Sequence, residues 1–191
     1  MQADFSVELT ADDPTLAVPW TDPEGRWRYY DLRVHPEAIS EVEEAQAFSE
    51  LREFLQMLNS GASAFSTAKC DAWFSEEMTE EETIFAAACK FGSYVDVVFR
   101  SAEIQEVFAD HEEFAASLVR LLKSAPEIPA ACEAIVRRAH FAEVPDEVRA
   151  GHYLSLYVTG YGDEEVEARQ AWGIALRLVA NACLQVSARM A

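Results

Sequence analysis

Arg137, Arg138 and His140 stand close together, a short distance before His152. Two guanidiniums and two imidazoles at one end of a strand pair suit an anionic group held by charge-assisted hydrogen bonds. Side chains alternate along a strand, so of the first three only Arg138 and His140 share a side. The chain carries 34 Asp and Glu against 15 Lys and Arg. Ion pairing with its own carboxylates is therefore the simpler role for these cations.

Asp96 is flanked by Val95 and Val97. Buried there, it needs a partner, with Lys69 or an arginine as candidates. Burial raises a carboxyl pKa, as a general acid or base requires, but no second group stands at a defined spacing. His111 lies on an apolar helical face and reads as a hydrogen-bonded core histidine. Asp71 follows Cys70 with no histidine nearby in sequence, which is neither metal-ligand spacing nor a nucleophile motif. No catalytic residue, metal or cofactor is assigned. Whether the chain is an enzyme stays open, with the balance against it.

The elements that position these groups are clearest between Gly151 and Ser187. Leu154, Leu156 and Val158 alternate with Tyr153, Ser155 and Tyr157, the period of a strand. Gly160-Tyr161-Gly162-Asp163 turns the chain, and Asp163 suits a helix N-cap. Trp172, Leu176, Val179, Cys183 and Val186 then follow helical spacing to about Ser187. The segment from Gly92 to Phe99 repeats the Gly151 pattern, and a helix over 102–123 follows it. An alternating stretch precedes each: Phe65–Phe74 and Ala131–Phe141.

The fold class expected is α+β in a single domain over 1–191. Two tandem strand-strand-helix units, 62–124 and 131–188, build a four-stranded, mostly antiparallel sheet with helices on one face. Residues 1–14 read as a mobile lead-in. Residues 16–58 read as a hairpin around Asp22-Pro23-Glu24-Gly25 followed by a helix over 36–58. A short helix is expected within the insertion 75–91, and a polar connection over 142–150. This sheet resembles a circular permutation of the ferredoxin-like fold. In element order alone, the helix at 36–58 with the two units resembles type III secretion chaperones, a likeness that implies a small, acidic, dimeric protein.

The formal net charge of −19 disfavours nucleic acid and anionic lipid as partners. No apolar run of about 18 residues is present to span a membrane. The opening Met-Gln-Ala-Asp-Phe-Ser lacks the basic and apolar segments of a secretory signal. Four dispersed cysteines in apolar contexts read as reduced thiols, so a cytoplasmic protein is expected.

The face of the sheet without helices carries Tyr94, Asp96, Tyr153 and Tyr157, joined by Lys69, Asp71 and Trp73. Aromatics mixed with charges suit an interface. The expected function is protein interaction or self-association, as a homodimer or with a protein partner. The alternatives are a small-molecule site or small enzyme in a cleft beside the sheet, with Asp96, Arg138, His140 and His152 as candidates, and an acidic inhibitor or nucleic-acid mimic binding a basic protein.

Overall fold

The computed structural model describes residues 1–144 and 147–190. The chain is α+β, with one six-stranded sheet and its main helices packed on one face. The two best-patterned strands lie side by side near the middle. They are β4 (Cys89–Phe99) and β6 (Glu147–Gly162), paired antiparallel with Val95 opposite Leu156. Outside them run β3 (Phe65–Ser75), antiparallel to β4, and β5 (Ala130–Val144), antiparallel to β6. These four strands are the ones expected from the repeated pattern.

Two further strands correct the expectation of a four-stranded sheet. β1 (Gln2–Glu8) and β2 (Thr15–Val18) both pair parallel with β5, one after the other along the same edge. Residues read as a mobile lead-in therefore form an edge strand. The reason is a short alternation: Ala3 is buried and Phe5 packs on the core, while Gln2 and Asp4 face water. The expected hairpin over 16–32 is also replaced. Leu16 faces Ala139 of β5, and only an isolated bridge, Thr21 to Arg28, crosses the Asp22 turn. The turn itself forms: Asp22 Oδ2 accepts from the amides of Arg26 (2.6 Å) and Trp27 (3.1 Å), and Gly25 takes φ +67°, which glycine adopts without steric cost.

Two long helices read from periodicity are each broken. Residues 36–58 form a 3-10 turn (Pro36–Glu41), then α1 (Glu43–Ala47) and α2 (Ser49–Leu58). The break at Phe48 is extended, with φ −126° and ψ 106°. It turns the Phe48 ring onto Phe91 and Trp172, at centroid distances of 5.2 and 6.0 Å. Residues 102–123 split at Val107 into α3 (Ala102–Glu106) and α4 (Phe108–Lys123). The insertion 75–91 holds a 3-10 turn (Glu81–Phe85) instead of the expected short helix. Of the connection expected at 142–150, all but residues 145 and 146, which lie outside the described residues, continues β5 and β6.

α5 (Glu165–Ser187) lies over the centre of the sheet, touching α2 on one flank and α4 on the other. Trp172, Leu176, Val179 and Cys183 are fully buried in it. The four cysteines are unpaired, and three of them are buried. No helix among the described residues is long and apolar enough to cross a membrane.

The helix approaches β6 at glycine. A Cβ on Gly160 would stand 2.1 Å from Trp172 N and 2.4 Å from Ala168 O. These are backbone atoms of a packed helix and cannot give way locally. Gly160→Ala is expected to destabilise the fold by more than about 2 kcal/mol in chemical denaturation. Gly61→Ala, with nothing within 4 Å of the added Cβ, is expected to change stability by less than about 0.5 kcal/mol.

Candidate functional site

Strand registers bring residues from distant parts of the sequence into rows on the helix-free face. One row runs Asp71, Tyr94, Tyr157, Glu133, Asp4 across five strands. The Tyr94 and Tyr157 rings are neighbours, with centroids 5.7 Å apart. Both are partly exposed, and Asp71, Glu133 and Asp4 are exposed. Trp73, on the same face of β3, is 37% exposed. Its indole lies across Gly92, where a Cβ would come within 3.1 Å of the ring.

The next rows inward are sealed. Asp96 (5% exposed), Ser155 (0%) and Arg137 (9%) form a continuous network. Ser155 Oγ donates to Asp96 Oδ1 at 2.6 Å and accepts from an Arg137 guanidinium nitrogen at 2.8 Å. Arg137 Nε donates to Glu8 Oε2 at 2.7 Å. The arginine needs that carboxylate, because an unpaired buried charge is expensive. Burial pushes the Asp96 carboxyl up to about 6, opposed by the Ser155 hydrogen bond and by the charges of Arg137 and Lys69. Burial also opposes the Arg137 charge, but its hydrogen bonds to Glu8 and Tyr157 outweigh burial and hold its pKa above the ordinary value. Burial, reinforced by Asp96 and Asp71, raises the Tyr94 phenol.

Both ends of this face are covered. At one end Phe85 stacks on Tyr161, with centroids 3.9 Å apart, and Glu82 binds Lys90 at 2.7 Å. At the other end Leu16, Val18 and Trp20 pack on Val98, Ala139, Phe141 and Tyr153. Trp20 Nε1 donates to Ala68 O at 2.8 Å. The N-terminal segment thus covers one end of the face, and the Trp73, Tyr94 and Tyr157 aromatics stay accessible between the covers.

Among the candidates, Trp73, Tyr94, Asp96, Tyr153 and Tyr157 share this face, with Tyr153 buried. Arg138, His140 and His152 have the opposite parity and do not join Asp96. Arg138 and His140 are exposed, and Arg138 reaches Thr10 O at 3.5 Å. His152 packs instead against Phe108 and His111, ring centroids 5.6 and 5.5 Å away. His111 Nδ1 lies 3.0 Å from Val107 O. A carbonyl only accepts, so Nδ1 carries the proton and Nε2 is bare. His111 Nε2 and His152 Nδ1 are both buried without a hydrogen-bond partner. Burial lowers the pKa of both imidazoles and keeps them neutral.

From the sequence, Arg137 is a candidate only beside Arg138 and His140, without its link to Ser155, and Glu8 is missed altogether. The signal for Arg137 was its parity with Glu133, opposite to Cys132, Ala134 and Val136. Glu8 carried no local signal, because its partner is far along the chain.

Chemically, the network is closed. Ser155 is fully buried with its hydroxyl donating and accepting, so it cannot attack a substrate. No group of three or more metal-ligating side chains is assembled among the described residues. A cleft of about 390 Å³ is lined by Phe85, Ile128, Tyr161, Gln170 and Ile174. It contains none of the candidate ligand or interface residues Trp73, Tyr94, Asp96, Arg138, His140, His152, Tyr153 and Tyr157. No protein-family model matches the chain, and neither the curated proteins nor the solved structures searched contain a match to it.

The Asp96 shift has a definite sign. A raised carboxyl pKa means that the folded state holds the proton more tightly than the unfolded chain. The contribution of Asp96 is most favourable below pH 3.8 and is lost as pH rises through about 6. Asp96→Asn keeps an acceptor for Ser155 and removes the charge. The variant is expected to exceed the parent in stability at pH 8 by roughly 1–3 kcal/mol, with the difference vanishing below pH 4. Urea titrations at pH 4, 6 and 8 check this. A variant less stable than the parent at pH 8 would mean that Arg137 more than repays the buried carboxylate.

Proposed function

We propose that this chain is a protein-interaction module that works through the helix-free face of its sheet. The observation that carries the reading is the aromatic surface formed by Tyr94, Tyr157 and Trp73, accessible between two covered ends. Tyrosine and tryptophan dominate interface energetics because they bury a large, rigid surface and keep a polar atom. The network beneath fixes the floor: Asp96, Ser155, Arg137 and Glu8 hold the neighbouring strands in one arrangement. A rigid floor lowers the entropy lost on binding.

Catalysis finds less support. On this face Asp96, Ser155 and Arg137 are buried and hydrogen-bonded in one network, and the accessible groups are phenols, an indole, carboxylates and Lys69. Self-association as a homodimer through this face is the competing form of the same reading. A two-fold contact that aligned this row with its copy would set acidic ends, Asp71 or Glu133 with Asp4, against acidic ends. Like charges across an interface oppose association, so a different protein is favoured.

A photo-crosslinking amino acid placed at Tyr157 tests this. The control position is Val166 on α5, which is 74% exposed on the helical side. In extract of the source cells, irradiation is expected to give a discrete adduct from position 157 and none from 166. Adducts of equal yield from both positions, or none from 157, would contradict the reading. An adduct of twice the chain mass would identify the homodimer instead.

A further inference from the structure

The interaction reading leaves the partner undefined, and the charges on the face define it further. The accessible row is acidic at both ends and aromatic in the middle: Asp71, then Tyr94 and Tyr157, then Glu133 and Asp4. On this face Arg137 and Lys90 are paired, whereas Lys69 is exposed. Arg137 is buried and bound to Glu8 and Ser155, and Lys69 lies 5.3 Å from the Trp20 ring. Lys90, toward one covered end, is paired with Glu82. An aromatic floor between carboxylates attracts a cation through both the ring faces and the flanking charges.

The spacing is specific as well. Asp71 and Glu133 lie on strands separated by three strand intervals, about 14 Å. In an extended peptide, residues i and i+4 stand about 14 Å apart, and i, i+2 and i+4 point the same way. Resting on the interaction reading above, we propose that the face binds an extended basic segment of a partner protein with the pattern Arg-x-Arg-x-Arg. The outer two arginines pair with Asp71 and Glu133, and the middle one lies over the Tyr94–Tyr157 pair. Arginine fits better than lysine, because its planar head both stacks on rings and pairs bidentately with carboxylates.

The acidity of the whole chain attracts any polycation, so the test must separate local recognition from bulk charge. The probe is a synthetic peptide, Gly-Arg-Ser-Arg-Ser-Arg-Gly, at about 0.15 M salt, where long-range attraction is screened. Amide NMR shifts locate it, and titration gives its affinity. Shifts are expected in residues 69–73, 92–96, 131–135 and 155–159. The double change Asp71→Asn with Glu133→Gln is expected to weaken binding about tenfold, and Tyr94→Ala about fivefold. Glu112→Gln with Glu113→Gln, the same charge change at exposed positions of α4, is expected to weaken it less than about twofold. A peptide with its three arginines consecutive is expected to bind more weakly.

Equal losses in the site and control variants, or no binding by the peptide, would overturn the basic-segment proposal. If a glutamate version of the peptide or a second copy of the chain binds this face, the proposal fails and the interaction reading stands. If the shifts map to the helical side, both fail.

Discussion

The fold depends on how closely α5 lies on the end of β6. Gly160 leaves room for the backbone of Trp172 and Ala168 where any side chain would collide. With the helix that close, the Trp172 indole sinks into the core, and its Nε1 donates to Ser93 Oγ of β4 at 2.9 Å. A buried indole needs such a partner. Phe91 and Phe48 close around the ring at 4.7 and 6.0 Å. The break at Phe48 is thus part of the same packing, since an unbroken helix over 36–58 would lack the extended turn that sets this ring against the core.

The consequence falls on the other face. β4 and β6 give one side chain in two to the helices, and the alternate ones have no helix to meet. Some of those are sealed by Trp20 and Phe85 with their neighbours, and some by hydrogen bonds. Asp96 remains in a sheet interior because Ser155 and Arg137 serve it, and Arg137 because Glu8 does. That chain of dependence reaches from the second half of the sequence to β1. The edge strand therefore does more than extend the sheet: its carboxylate neutralises a cation in the middle of the face. What is left accessible is aromatic, and its fringe is acidic.

Much of this was legible in the chain. The alternation in 92–99 and 151–158 is strong in residue type, so it placed Tyr94, Asp96, Tyr153 and Tyr157 on one face and Val95, Val97, Leu154 and Leu156 on the other. The helix at 165–187 was legible for the same reason. The first strand was not, because it is short, polar on alternate residues and paired in parallel with residues far away in sequence. Such pairing leaves no turn signal between partners. The helix breaks at Phe48 and Val107 were hidden because both residues are apolar and continue the helical period. Buried Arg137 has the same residue type as exposed Arg138. Its parity, not its identity, distinguished it. The contact between His111 and His152 joins a helix to a strand and follows from packing alone.

One set of strands carries a sealed helical face and an accessible aromatic face. Hydroxyl-radical footprinting of the isolated chain in dilute solution, read residue by residue by mass spectrometry, tests it most directly. The account predicts ready oxidation of Trp73, Tyr94 and Tyr157, with Trp172 and Tyr153 protected. Protection of Tyr94 and Tyr157 to the same degree as Trp172 would contradict it, because the face would then be closed in the free protein.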